Sequence, residues 1–147
     1  MSAVPHQARS RARRLAVQAL YQWQMTHQDI GDIAAQFLAD YEMDKVDVPY
    51  FKELLHRTVE EVNTLEDDVN PVLDRPIRSV DPVERAILLI GVYELRYRLD
   101  IPYRVVINEA IRQAKTFGAF ESYKYVNGIL DKVAHRLRAS ENHAAVD

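Results

Sequence analysis

The 147-residue sequence has no cysteine. Disulfides, thiolate catalysis and cysteine-based zinc sites are therefore excluded, and a reducing compartment such as the cytoplasm is the expected setting. Glycine is scarce, at four residues, and none of the four sits in a phosphate-binding loop; nor is there an HExxH pair or a nucleophile elbow. The histidines at 6, 27, 56, 135 and 143 are scattered without metal-ligand spacing. No apolar run approaches the roughly 20 residues that span a bilayer. The basic N-terminal stretch is not followed by the apolar core and small-residue cleavage site of a signal peptide. Internal repeats, low-complexity segments and long linkers are missing too. The expectation is a single domain over 1–147 with frayed ends at 1–8 and 140–147, no catalytic residue, no metal, no cofactor and no membrane contact.

What is present is an uneven charge. Residues 1–28 carry four arginines and no acid, residues 29–100 carry 17 acids against 8 bases, and residues 101–140 carry 7 bases against 3 acids. Two basic ends around an acidic middle suit a polyanion on one face and a basic partner on another, or a solvated helix surface. Glu60-Glu61 and Glu66-Asp67-Asp68 read as solvated surface, because adjacent helical residues point in different directions.

The apolar spacing is helical throughout. In 9–27, Ala12, Leu15, Ala16, Ala19, Leu20 and Trp23 form one stripe. Weaker patterns follow over 30–43, from Pro49 through Leu65, and over 66–73. The clearest start is VDPVERAILLIGVYELRYR, where Asp81 can cap, Pro82 suits the first helical position and Glu84 stands where a capping-box partner belongs. A sixth helix buries Val106, Ala110, Ile111, Ala114 and Phe117 and ends at Gly118; a seventh starts near Ser122. Asn127-Gly128 falls inside it, and its glycine is expected to permit close helix packing. These patterns specify an all-α domain of about seven helices.

Two segments carry binding chemistry. On the first helix, Arg11, Arg14, Gln18 and Tyr21 fall within about 80° of one another, away from the apolar stripe. Guanidinium, amide and aromatic groups on one face suit RNA, through bidentate phosphate contacts and base stacking. Arg9 and Arg13 lie nearer the edge of the stripe, from where they could wrap around to the same ligand. Alternatively, the segment is an exposed basic helix end with Tyr21 packed on a neighbour. Four bases near a helix N-terminus gain nothing from its macrodipole. The second segment, KTFGAFESYKYVNG, interleaves Lys115, Phe117, Phe120, Tyr123, Lys124 and Tyr125 around a helix junction. Phe117 and either Phe120 or Tyr123 could staple that junction, which leaves Lys124 and Tyr125 as the better contacts.

The blocks RSRARRLAVQALYQW, VERAILLIGVYEL and IPYRVVINEAIRQAKTFGAFESYKYVNGILDK, taken in order over nearly the whole chain, resemble the NusB family of transcription antitermination factors. The resemblance implies a fold of two small helical bundles packed across each other. It also implies binding of boxA-type single-stranded RNA from ribosomal operons together with the ribosomal protein NusE. Other Nus factors and RNA polymerase are then engaged indirectly, in a complex that resists termination. Carried over by position, its RNA surface comprises Arg9, Arg11, Arg13, Gln18 and Tyr21, then Glu121, Lys124 and Tyr125; Arg14 joins them from the helical-face reading. Glu84 falls where the protein partner docks. Tyr125 stands where many members have phenylalanine, Ser10 interrupts the arginine run, Arg14 adds a base, and Leu89 replaces a frequent arginine. A basic helix with an apolar edge could also be masked in a homodimer. A NusB-like domain opens some RNA methyltransferases, but too few residues follow 140 to hold a cofactor domain. A protein-binding helical scaffold is the remaining alternative.

Overall fold

The long first helix, α1 (His6–Thr26), buries Ala12, Leu15, Ala16, Ala19 and Leu20, the stripe its spacing lays out. It stops where His27 turns left-handed (φ 58°) and its N–H closes on the Trp23 carbonyl. The computed structural model describes residues 6–141. After α1 come α2 (Ile30–Asp40), α3 (Val48–Glu60), α4 (Val62–Val69), α5 (Pro82–Tyr97), α6 (Tyr103–Phe117) and α7 (Ser122–Leu137). Two 3-10 turns, Asn70–Val72 and Ile77–Ser79, lead into α5, and no strand occurs among the described residues.

α1, α2 and α3 pack on one another, as do α5, α6 and α7; α4 lies on α5, and contacts of α1 with α5 and α6 join the two groups. The core runs through α5, where Leu88, Leu89, Val92 and Leu95 are fully buried. Leu89, one of the departures from the pattern the chain resembles, is an apolar core residue. Gly91 is the glycine that close packing requires, since a Cβ there would sit 2.8 Å from the Leu130 side chain of α7. Gly128 does not have the packing role expected of it, because a Cβ there would meet open space.

Several boundaries differ from the periodicity. The helix expected from Pro49 through Leu65 is two helices, broken at Glu61. Glu60 and Glu61 oppose the macrodipole at the end of α3 and favour the start of α4, so charge and backbone agree on a break there. The frayed N-terminal segment expected through residue 8 is helical from His6, with Ala8 buried. Near the other end, Glu141 accepts from the Tyr103 backbone N–H at 2.9 Å and pairs with the buried Arg138. The remainder of the two expected tails, 1–5 and 142–147, lies outside the described residues.

The acidic triplet is not the uniformly solvated surface expected of it. Asp67 is exposed, but Glu66 and Asp68 are buried. Glu66 receives Arg78 and Arg85, and Asp68 receives Arg96 and Arg136. Buried carboxylates persist because each has guanidinium partners.

Candidate nucleic-acid interface

The arginine run of α1 divides between inside and outside. Arg13 is 3% exposed, and its guanidinium meets Glu94 of α5 at 2.9 Å and Glu109 of α6 at 3.5 Å. Tyr50 of α3 donates its hydroxyl to Glu94 and carries Arg9, Arg13 and Arg98 over its ring at 4.9, 5.5 and 4.9 Å. Burial alone would depress the Arg13 pKa, but the charge and hydrogen bonds of Glu94 hold it above its ordinary value. Burial, then Glu94, pushes the Tyr50 phenol well above its usual range. The expectation that Arg13 reaches out to RNA is thus overturned: it is the cationic centre of an ionic seam between the two helical groups.

Arg9 is intermediate. Its Nε lies 3.6 Å from Asp47, whose other oxygen caps α3 at the Tyr50 N–H. Arg11 donates to the Lys45 carbonyl at 3.3 Å. Arg14 is exposed and makes no ion pair among the described residues. Gln18 turns back to the Arg14 carbonyl at 3.3 Å. Tyr21, 39% exposed, lines an open groove of about 480 Å³ with Met25, Tyr41, Val83 and Phe117. The outward set Arg11, Arg14, Gln18 and Tyr21 therefore stands together as expected.

At the α6–α7 junction, Gly118 ends α6 in an extended conformation, and Glu121 takes the left-handed one (φ 65°) ahead of Ser122. Glu121 pairs with the exposed Lys124 at 3.3 Å. Tyr125 is half-buried against the core, its hydroxyl enclosed without a hydrogen-bond partner among the described residues. Burial, with Asp74 nearby, pushes its phenol above the ordinary value. Phe117 and Tyr123 both pack on the core, with Lys115 over the Tyr123 ring at 4.8 Å. Phe120 is 93% exposed, so it does not staple the junction; it is the open aromatic there, and Tyr125 presents less of a stacking face than expected.

Asp81 caps α5 through the Val83 and Glu84 N–H groups. Glu84 does not close a capping box. Its carboxylate instead accepts the Ser122 hydroxyl at 2.6 Å, across to the first residue of α7. The position expected to dock a protein is thus bonded to the junction expected to meet RNA. Periodicity on one helix could not signal this bond, since the two residues are far apart in sequence.

The sequence pattern of the NusB family matches residues 10–135. The transcription antitermination protein NusB of Alcanivorax borkumensis is 53% identical over 134 residues, which cover 91% of this chain and 89% of that one. The chain belongs to the NusB family. T. maritima NusB superposes with a TM-score of 0.75 at 32% identity, over 85% of this chain and 89% of that one. A structure of NusB and NusE in complex with double-stranded RNA includes a chain that superposes at 0.80 over 90% of this chain and 99% of that one. At 22% identity that likeness concerns the fold. The NusB family consists of antitermination factors rather than enzymes. Among the described residues no helix is long and apolar enough to cross a membrane.

Proposed function

We propose that this protein binds boxA-type single-stranded RNA together with NusE during transcription of ribosomal operons in the cytoplasm. Through that complex it engages other Nus factors and RNA polymerase indirectly. The observation that carries the reading is the outer face of α1. Arg11 and Arg14 make no ion pair with a carboxylate among the described residues, and they line a cleft next to an apolar groove walled by Tyr21 and Phe117. Phosphates fit the first part of that face and unstacked bases the second. Lys124 and Phe120 extend it at the α6–α7 junction, where Glu121 tempers the charge.

Glu84 is the proposed docking point for the basic ribosomal protein. Its hydrogen bond to Ser122 joins that point to the RNA junction, so RNA and partner binding are expected to reinforce each other. The test is a titration with boxA-type RNA, alone and with NusE, across a salt series. The expected slope of log affinity against log salt is about −3 for four phosphate contacts at about −0.7 each. A flat salt dependence would sink the RNA reading, and equal RNA affinity with and without NusE would sink the coupling. A homodimer that masks α1 would dissociate on adding RNA, which sedimentation reads directly.

A further inference from the structure

The outward arginines of α1, the part-buried Arg11 and the exposed Arg14, face a second wall. Across from them α6 supplies Arg112, Gln113 and Thr116, which with Ser10, Arg11 and Arg14 line a cleft of about 230 Å³. No carboxylate lines it. The nearest acid on α6, Glu109, is buried, and its oxygens are engaged by Ser10 at 2.9 Å, His6 at 3.2 Å and Arg13 at 3.5 Å. Arg112 comes no nearer to Glu109 than 3.6 Å and its side chain is 64% exposed, so its guanidinium can still reach another partner. Three guanidinium groups around one small cleft repel one another until an anion enters.

The cleft is not a closed anion cup. One helical turn further along α1, from Arg14 to Gln18, and one residue along α6, from Thr116 to Phe117, it gives way to the apolar groove of Tyr21. An isolated phosphate would leave that groove empty, whereas a nucleic-acid strand fills both parts, phosphate on the arginines and base against the aromatic wall. The geometry points to the α1–α6 cleft as a backbone-phosphate subsite for single-stranded RNA, with Arg112 as its outer clamp. The subsite rests on the RNA-binding reading above and extends it to a helix that the arginine run does not include. A planar, always-charged fork suits that position, because it can bind two oxygens of one phosphate.

The test is fluorescence anisotropy of the full chain with a boxA-type single-stranded RNA over a salt series. It compares wild type, Arg112→Gln, Arg112→Lys, Arg112→Glu and Arg14→Gln. Arg112→Gln is expected to bind several-fold more weakly, with a salt slope shallower by about 0.7. Arg112→Lys restores the slope, and Arg112→Glu weakens binding further. Unchanged melting temperatures show that the fold is intact, as expected for an exposed side chain. Wild-type affinity and slope in Arg112→Gln, with both reduced in Arg14→Gln, would overturn the subsite and leave the RNA reading standing. Absence of salt-dependent binding in the wild type would remove both.

Discussion

Arg13 and Arg14 are neighbours on α1, yet one lies in an ionic seam and the other on an open furrow. Arg13 meets Glu94 and Glu109, carboxylates drawn from two other helices and closed off from water. Arg14 meets no carboxylate among the described residues and shares its cleft with Arg11 and Arg112. The same side chain thus serves cohesion on one face and, in the proposed function, recognition on the other. The difference lies in whether the counter-charge is already inside the protein. A buried pair is nearly indifferent to salt and costly to break, while a free surface cation is strongly screened and cheap to remove.

The largest expected effect follows from breaking the inner half. Arg13→Ala removes the guanidinium paired with the buried Glu94, strands that charge and should cost about 3–5 kcal/mol, measured by urea denaturation. A loss below about 1 kcal/mol would mean that the seam relaxes or hydrates. Overpacking the nearby core is next. Gly91→Ala forces its Cβ against Leu130, which a Cβ would approach to 2.8 Å, and should cost about 1–3 kcal/mol in the same assay.

Alkaline pH probes the seam by another route. Burial, then Glu94 for Tyr50 and Glu53 for Tyr93, raises both phenols in the folded chain above their ordinary value. A folded pKa above the unfolded one means that this stability is fully present below about pH 10 and is lost above it. Each such phenol contributes a fall of about 1.4 kcal/mol per pH unit there. Stability that stays flat above pH 10 would contradict the enclosed seam, and Tyr50→Phe should blunt the fall.

The outer half should respond in the opposite manner. Arg14→Ala is expected to change stability by less than about 0.5 kcal/mol while making the RNA salt slope shallower by about 0.7. A stability loss as large as that of Arg13→Ala would erase the contrast between the two residues. Raising salt should weaken RNA binding steeply and move the melting temperature little.

Much of the fold was legible because it follows from local rules. The α1 stripe, the Asp81 cap with Pro82 behind it and the end of α6 at Gly118 all match the spacing. The break at Glu61 was not legible, since the apolar spacing continues across it. At the candidate site, the outward grouping of Arg11, Arg14, Gln18 and Tyr21 followed from 100° per residue alone. Arg13 did not, because an edge position on a helix faces in or out according to what packs there. Phe120 and Tyr123 were interchangeable as staples by composition, and only the course of the junction separates them. Arg112 lay within a recognisable helix, but nothing local to α6 says that it faces the arginines of α1.

By itself the sequence determined the helices, the segregation of charge along the chain, the family and one outward face of α1. Those depend on spacing and composition, which act over a few residues. Only the tertiary structure decided which charges are neutralised. Glu94 closes on Arg13, Glu66 on Arg78 and Arg85, and Asp68 on Arg96 and Arg136, so part of the apparent acidic middle is internal pairing. The physical reason is that Coulomb interaction and desolvation depend on distance and burial in space. Residues far apart in sequence therefore settle which arginines remain free for a ligand.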